Sequence, residues 1–459
     1  MKPRFWFFVA ALVVAGVVGL SAVPRLATEA VKPDAPINIA RMESAQLPPE
    51  RGFGSRVPPV PISPEERQMF ADAAATAWRY VEGHYHSATG LADATTSYAH
   101  ATVWDIASTI AALYAAHELK LLETVEYDRR MRRVLRTLKT VDLYDSAAFN
   151  KVYATRTGEM IGHDQQPSKT GYGWSATDGG RLLIWLKILA VNQPQYRDDA
   201  TAVVGRMAMN RLVKDGYLWG EDRGEESRAP RVYQEGQIGY EQYAARGFAL
   251  WGFPPLKAMS LGENGVPITV MGRTLLADIR GRDRVTSDPL VLMGLELGWD
   301  RETARLAGEL LAAQEERYRK TGRVTIVGED AIGVPPHYFY YYSAYAQDKH
   351  FAVDVQDARV AVEEPRWVST KAAFAWHVLL PSAYTDLALR TVAPARTPNG
   401  WSSGVYEASG KSTDTLNINT AGVILTAALV HTTGKPLLSP SSTSSHRAVE
   451  RQTYSVAGR

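Results

Sequence analysis

The sequence predicts an all-α fold, an (α/α)6 double toroid built from six helical hairpins. Apolar and amphipathic helical segments alternate along most of the chain, and no segment repeats at a fixed period. Antiparallel helix hairpins whose second members are all buried can close only as a ring inside a ring. An open solenoid, the competing all-α architecture, would show the internal repeat that this sequence lacks.

The N-terminus has the pattern of an export signal. Lys2 and Arg4 precede an uncharged, mostly apolar segment from Phe5 to Val23, which is typical of a cleaved signal or, if retained, of a membrane anchor. We therefore expect a periplasmic or secreted protein, which is either released by cleavage or held at the inner membrane by residues 5–23. The chain has no cysteine, so disulfides and thiolate-bound metals are excluded.

Composition divides the chain into four parts. Residues 1–24 form the signal or anchor, 25–62 a Pro-rich tether, 63–438 the toroid domain and 439–459 a polar tail that we expect to be disordered. Without Lys2 and Arg4, the 51 basic residues become 49 and equal the 49 acidic ones. A mature protein without net charge argues against a nucleic-acid partner.

The helices of the domain are predicted from capping signals and apolar periodicity. The first begins at "SPEERQMFADAAATAWRYV", where Ser63 caps the helix and Pro64 takes its first position. A buried helix follows from Val103 to about Lys120, and later segments alternate between solvated and buried. The short segment "GRTLLADIRG", residues 272–281, is predicted as a seventh helix in a total of about twelve.

The inner helices of such a toroid run in one direction, so their N-termini meet at one mouth. All six segments that precede the apolar helices hold an acidic residue, and five hold an aromatic residue. Aromatic rings cover the C–H faces of sugars, carboxylates bind their hydroxyls, and a pair of carboxyls can hydrolyse a glycosidic bond. The mouth therefore predicts a site for a polysaccharide or oligosaccharide.

Asp178 and Glu235 are the first candidates for the catalytic pair. Asp178, in "GYGWSATDGG", is the expected base or a ligand to a sugar hydroxyl, although with Ser175 it also forms an acceptable capping box. Glu235, in the glycine-bearing loop "VYQEGQIG", is the expected general acid. Glu407 is an alternative base, either catalytic or sugar-binding.

Two further acids have a structural explanation beside the catalytic one. Glu241 rivals Glu235 but also suits the first turn of a helix, where the helix dipole favours acids. Asp105 lies in an apolar helix, so it is either a site residue or the partner of an arginine such as Arg181 or Arg246. The residues expected to bind the sugar are Trp104, Tyr153, Arg156, Tyr172, Trp174, Tyr233, Tyr240, Trp401 and Tyr406.

The long aromatic link that contains Glu329 and Asp330 is expected to cover the mouth, and we rank these two acids below the others. No cofactor and no metal are predicted. His84 and His86 are two residues apart and lack a third ligand nearby, and the chain has no Walker, G-x-S-x-G or H-E-x-x-H motif.

Residues 95–190, and more loosely 233–251 and 400–432, resemble the bacterial glycoamylase-like family. That family includes β-1,2-glucan-degrading enzymes and the C-terminal part of cyclic β-1,2-glucan synthases. Its "YNWYDTRTL" loop is matched at Phe149, Asn150, Tyr153 and 155–157, and its "V-D-S-G-N" junction by Asp178 and Gly179, where this chain has "DGGR". The chain is more similar still to a group of exported bacterial proteins of undefined function that share "YQEGQIGYEQYAARGFALWG". The resemblance implies the (α/α)6 fold and a six-hairpin glycosidase ancestry.

Two functions from different classes fit these features. One is an exported glycoside hydrolase that acts on a bacterial glucan or exopolysaccharide through two carboxylates. The other is a non-catalytic polysaccharide-binding toroid that works with the envelope machinery for surface-glycan export or assembly, tethered to the inner membrane by the N-terminal helix. A polysaccharide lyase ranks third, because lyases need a basic mouth to neutralise a uronate and this mouth is acidic.

Overall fold

The computed structural model describes residues 62–224, 229–281, 284–332, 339–355 and 366–438. The predicted signal or anchor, nearly all of the predicted tether and the predicted tail lie outside these residues. Within the described ranges, no helix is both long and apolar enough to cross a membrane.

Helices form most of the described structure, and the longest ones alternate between an inner and an outer position. In chain order they are α1 (Pro64–His84), α2 (Val103–Glu118), α3 (Thr124–Thr140), α4 (Ala176–Asn192), α5 (Arg197–Val204), α6 (Met209–Leu212), α7 (Tyr240–Leu250), α8 (Leu256–Met259), α9 (Leu261–Asn264), α10 (Asp288–Glu296), α11 (Arg301–Thr321), α12 (Thr370–Leu379), α13 (Ala383–Val392) and α14 (Ile418–Thr433).

Six apolar helices pack as a closed ring. Each contacts the next in the order α2, α4, α7, α10, α12 and α14, and α14 contacts α2 again. These helices are buried on nearly all sides; in α14, for example, all but one of the residues from Ile418 to His431 are buried. A helix that is apolar all round needs neighbours on every side, which a ring wrapped by outer elements provides.

The six helices of the ring start at the same end, called here the mouth. Their first turns touch one another: the Asn419 amide of α14 donates to Asp105 of α2 at 2.8 Å, and Lys371 of α12 pairs with Asp288 of α10 at 3.1 Å. Tyr240, at the start of α7, bonds to Thr286 just before α10 at 3.0 Å. The predicted gathering of N-termini is therefore observed.

Both ends of the described domain lie at the face opposite the mouth. Glu66, in the first turn of α1, accepts hydrogen bonds from His377 (3.2 Å) and His431 (3.0 Å), which lie in the last turns of α12 and α14. At the other terminus, the Leu438 N–H donates to the carbonyl of Glu296, the last residue of α10, at 2.8 Å. We call this end of the ring the base.

Short strands occupy the loops between the helices and form seven small antiparallel sheets within the described residues. The strands are β1 (His100–Thr102), β2 (Leu143–Tyr144), β3 (Ala148–Phe149), β4 (Val152–Ala154), β5 (Gly173–Ser175), β6 (Val213–Lys214), β7 (Tyr217–Asp222), β8 (Arg231–Gln234), β9 (Gly265–Val270), β10 (Arg273–Asp278), β11 (Gly328–Ala331), β12 (Phe339–Ala346), β13 (Lys349–Val355), β14 (Trp367–Ser369), β15 (Arg396–Thr397), β16 (Gly400–Trp401) and β17 (Gly404–Tyr406). Because β1, β5 and β14 end where α2, α4 and α12 begin, these strands build the rim of the mouth.

The outer layer departs from the six predicted helical hairpins at one place. Helices α1, α3, α5, α11 and α13 are outer helices, but the segment between α7 and α10 holds two single-turn helices and the hairpin β9–β10. The helix predicted for residues 272–281 is therefore wrong. Met271 and Gly272 form a two-residue turn with φ of 51° and 77°, as a hairpin requires, and the β-branched run before the turn favours a strand.

Two glycines bring α4 and α7 into close contact. A Cβ added at Gly180 would lie 2.4 Å from the carbonyl oxygen of Ala244, and one added at Gly247 would lie 2.0 Å from the carbonyl oxygen of Gly180. Both contacts are with backbone, which cannot move aside as a side chain can. The second glycine of "DGG" is thus required for packing, whereas a Cβ at Gly179 would meet only side-chain methyl groups, of Met207 at 3.3 Å and Leu212 at 3.7 Å.

We expect Gly180→Ala to lower the free energy of unfolding by about 1–3 kcal/mol or more, because the added methyl group overpacks a helix contact. Gly179→Ala is the matched control in the same helix and should leave stability unchanged or raise it by up to about 1 kcal/mol through helix propensity. Urea unfolding followed by far-UV circular dichroism measures both. Equal unfolding midpoints for the two variants would contradict this packing.

Candidate functional site

Asp178 lies in the first turn of α4, directly at the mouth. The Asp178 N–H donates to Ser175 Oγ at 3.2 Å, so Ser175 caps the helix as predicted. The Asp178 carboxyl group is half-buried, and among the described residues no hydrogen bond engages it. The cap therefore leaves the carboxyl group available to a ligand.

The surroundings of Asp178 favour its protonated form. Burial, followed by the negative charge of Glu235, raises the pKa of Asp178 to about 8, against the opposing charge of Lys151. Smaller contributions in the same direction come from Asp105 and Glu329. At neutral pH this carboxyl group thus holds a proton that it can donate.

Glu235 is the second carboxyl group of the site and lies in the loop between β8 and α7. Its Oε1 is buried without a hydrogen-bond partner among the described residues. Burial raises the pKa of Glu235, and Lys151, Ser175 and Thr177 oppose the rise. Ser175 and Thr177 flank the start of α4, so Glu235 acts at the same helix end as Asp178.

The loop that carries Glu235 has a strained backbone. Gln237 adopts a left-handed φ of 71°, which non-glycine residues rarely do. Its N–H donates to Asp278 Oδ2 at 2.7 Å, so the end of β10 holds the loop in this conformation. Strain of this kind is concentrated at functional sites.

Lys151 is a further candidate residue of the site, and it was not predicted from the sequence. Its buried ammonium group pairs with Asp222 and donates to the Tyr233 hydroxyl at 3.0 Å. It also lies 5.4 Å from the ring centre of Tyr172 and 5.2 Å from that of Tyr233. The signal for it was its position inside the matched "FNKVYATRT" loop, where a lysine follows Asn150.

Asp105 caps α2 and joins it to α14. Its Oδ2 accepts the N–H (2.9 Å) and the hydroxyl (2.8 Å) of Thr102, and its Oδ1 accepts the amide of Asn419. The structure does not pair it with either expected arginine. Arg181 lies over the ring of Trp104 at 4.6 Å, and Arg246 pairs with Asp300.

Glu241 and Glu407, two further catalytic candidates, are held in ion pairs. Glu241 accepts from Arg280 at 2.7 Å, and Arg280 also pairs with Asp278 at 2.7 Å. Both oxygens of Glu407 face Arg317, at 3.0 and 2.9 Å, and the Tyr342 hydroxyl adds a bond of 2.8 Å. The charge of Glu235 thus acts on Asp178, whereas both Glu407 oxygens are engaged by Arg317.

Most side chains predicted to bind sugar are buried inside the domain, and several are hydrogen-bonded to other residues of the chain. The Tyr153 hydroxyl donates to the Asp142 carbonyl at 2.8 Å, the Trp174 indole donates to Glu221 at 3.3 Å and the Trp401 indole donates to the Ala73 carbonyl at 3.0 Å. Tyr172, Tyr233 and Tyr240 are also buried, Trp104 and Tyr406 are half-buried, and Arg156 is exposed.

The two histidines considered for a metal site have other partners. His84 bonds to the Tyr80 carbonyl at 2.9 Å, and His86 pairs with Asp93 at 2.7 Å. In the part of the chain that the structure describes, no group of three or more His, Cys, Asp or Glu side chains is arranged to hold a metal ion.

The solved structures with the same fold that are given below are described as carbohydrate-active proteins. A Bacteroides caccae protein described as a "putative glucoamylase" aligns with a TM-score of 0.59 at 15% identity, over 80% of this chain and 94% of that one. An endo-β-1,2-glucanase from Chitinophaga pinensis, in complex with sophorotriose and glucose, aligns with a TM-score of 0.56 at 11% identity, over 80% and 93%. The endo-β-1,2-glucanase of Talaromyces funiculosus with sophorose gives 0.56 at 12%, over 85% and 88%. These matches confirm, for the fold, the resemblance to six-hairpin glycosidases.

A comparison with curated proteins found no match in sequence. A family model described as "Protein of unknown function (DUF3131)" matches residues 72–434. The matched range spans the ring from α2 to α14 and includes every carboxyl group considered as a catalytic candidate. The chain therefore belongs to this family of unknown function.

Proposed function

We propose that this protein is an exported glycoside hydrolase that cleaves a glucan with two carboxyl groups at the mouth of an (α/α)6 toroid. The observation that carries the proposal is the pair of Asp178 and Glu235: the surroundings of Asp178 favour its protonated form, and the negative charge of Glu235 is one of the causes. Glycoside hydrolysis needs such a pair, with one group as proton donor and the other as base or nucleophile.

The two roles are opposite to those expected from the sequence. Asp178, with a pKa of about 8, is the proton donor, because it retains its proton at neutral pH and no described residue competes for its carboxyl group. Glu235 is assigned the role of base or nucleophile: burial raises its pKa, but the charge of Lys151 and hydrogen bonding from Ser175 and Thr177 favour its negative form.

A neutral sugar chain suits this mouth better than a uronate. Glu235, Asp105 and Glu329 each raise the pKa of Asp178 through their negative charge, so an anionic sugar would be repelled at this acidic mouth. The glucanases of the same fold were solved with sophorotriose, sophorose and β-1,2-glucan, which supports β-1,2-glucan as the first substrate to test. Residues 1–24 would export the enzyme to the periplasm or beyond it.

Purified residues 45–440 should release reducing ends from β-1,2-glucan in a panel of soluble polysaccharides. Asp178→Asn and Glu235→Gln should each lower this rate by at least about 100-fold, because each removes a group that transfers a proton in the reaction. Glu302→Gln, which changes an exposed acid in the first turn of α11, is the matched control and should retain full activity.

The same assay separates the hydrolase from a polysaccharide-binding toroid. Isothermal titration with each glycan should show that Asp178→Asn still binds the substrate, since only the proton transfer is lost. Binding to one glycan without any release of reducing ends by the wild type would contradict hydrolysis and favour the binding toroid.

Activity should fall as the pH rises through about 8, because Asp178 then loses the proton that it donates. The alkaline limb of the kcat/KM profile reports this group in the free enzyme. An alkaline limb below pH 6, or a rate that is constant to pH 10, would exclude Asp178 as the proton donor.

Glu407→Gln should destabilise the fold by about 3 kcal/mol, since it leaves the buried Arg317 without its charged partner. Below the unfolding temperature, the variant should hydrolyse substrate at nearly the wild-type rate. Glu315→Gln, which breaks an exposed pair with Arg319 in the same helix, should cost less than about 1 kcal/mol. A stable but inactive Glu407→Gln enzyme would restore Glu407 as the catalytic base.

A further inference from the structure

The loop of residues 235–239, called here the Glu235 loop, is held at both of its ends. The Glu235 N–H donates to the Leu218 carbonyl of β7 at 2.8 Å. The Gly239 N–H donates to Gln242 Oε1 of α7 at 2.7 Å. Between these two points, the path of the backbone depends on the conformation of the residues in the middle of the loop.

Gln237, in the middle of the loop, has the left-handed φ of 71°. Residues other than glycine avoid this conformation because their Cβ comes too close to the following carbonyl oxygen. A contact from outside the loop compensates for it: the Gln237 N–H donates to Asp278 Oδ2 at 2.7 Å. Rotation of Gln237 to a negative φ would break this bond and turn the peptide groups that lead back to Glu235.

Asp278 is itself fixed by Arg280. Asp278 Oδ1 accepts the backbone N–H and the Nε–H of Arg280, both at 2.8 Å, and Oδ2 accepts from the guanidinium group at 2.7 Å. One oxygen thus closes the turn after β10, and the other is shared by Arg280 and Gln237. Arg280 also pairs with Glu241, in the first turn of α7, at 2.7 Å. The end of β10 is therefore joined both to the Glu235 loop and to the helix that follows it.

This anchor lies where, among the described residues, strands replace an outer helix. The hairpin β9–β10 fills the segment between α7 and α10. Because α10 begins at the mouth, the chain has returned to the mouth when β10 ends, and Asp278 is the last residue of that strand. The departure from six helical hairpins thus coincides with the support of the Glu235 loop.

We propose that Asp278 is a positioning residue for Glu235: by holding Gln237 in its left-handed conformation, it fixes the place of the Glu235 carboxyl group at the mouth. The inference rests on the proposed function, in which Glu235 acts as base or nucleophile. Asp278 is buried and acts through the loop, without touching the substrate. A displacement of about 1 Å in a reacting group can cost about 100-fold in rate.

Amide hydrogen exchange in the absence of sugar tests the anchor. Exchange is followed by mass spectrometry in a peptide that spans the Glu235 loop, and peptides of α4 serve as the internal reference. Asp278→Ala should speed exchange in the loop by at least about 10-fold, because the Gln237 N–H loses a charged acceptor, and should leave α4 unchanged. Asp278→Asn preserves the size of the side chain but offers a neutral, weaker acceptor, so its increase should be smaller.

Steady-state kinetics on the hydrolysed glucan test the consequence for the reaction. Asp278→Ala should lower kcat by about 10- to 100-fold and leave KM within about 2-fold of the wild type. The double variant Asp278→Ala/Gln237→Gly should recover part of the lost kcat, because glycine adopts a positive φ without strain. A role in stability alone would leave kcat unchanged below the unfolding temperature and give no such recovery.

Thr274→Ala is the matched control, because it changes an exposed side chain of the same strand. It should alter neither loop exchange nor kcat.

Loop exchange in Asp278→Ala that matches the wild type, or a wild-type kcat in that variant, would overturn the inference. If the alanine variant does not fold, unchanged loop exchange in Asp278→Asn overturns it equally. Because exchange needs no substrate, it decides whether Asp278 holds the Glu235 loop even if no glucan is hydrolysed. A loosened loop together with a wild type that hydrolyses no glucan would contradict the proposed function alone.

Discussion

Six helix N-termini converge at one end of the ring, and this convergence governs the chemistry of the whole molecule. Each N-terminus brings unpaired N–H groups and a partial positive charge, so together they create an end that attracts acids. Asp105, Asp178, Glu241 and Asp288 each occupy the first turn of a ring helix. These carboxyl groups therefore stabilise the helix N-termini and are also candidates for catalysis. The parallel ring favours acids at this end, and the proposed catalytic pair is found among them.

The general architecture was predictable because it depends on local patterns. Apolar periodicity located the six ring helices, and Ser63 and Ser175 cap α1 and α4 as their sequences indicate. The hairpin β9–β10 was not recognised, because its two-residue turn at Met271 and Gly272 carries only one glycine as a signal. A short apolar segment such as "TLLAD" suits a helix or a strand equally well.

It was harder to predict which acids are available to a ligand, because this depends on partners that are far away in sequence. The cap formed by Thr102 on Asp105 spans three residues and could be read locally. By contrast, Glu407 pairs with Arg317, which is 90 positions away in the sequence, and no periodic pattern predicts that pair. Trp174 and Trp401 were predicted from the sequence to stack on sugar rings, but both side chains are buried. Exposure of one ring face is decided by tertiary packing, which a single sequence does not contain.

A protonated Asp178 has a cost in stability. Its pKa is about 8 in the folded protein, whereas an aspartate in an unfolded chain titrates near its ordinary value of about 4. Between these two values the unfolded state releases the proton and the folded state keeps it, so stability falls as the pH rises through this window. Above about pH 8 the loss is complete. Packing of the ring helices must therefore offset the stability that the raised pKa of Asp178 removes.

The placement of both domain ends at the base has a consequence for access. Glu66 and Leu438 are bound to the last turns of ring helices, so the described domain begins and ends at the base, opposite the mouth. A polymer could therefore reach Asp178 and Glu235 at the mouth without passing the points where the described domain begins and ends.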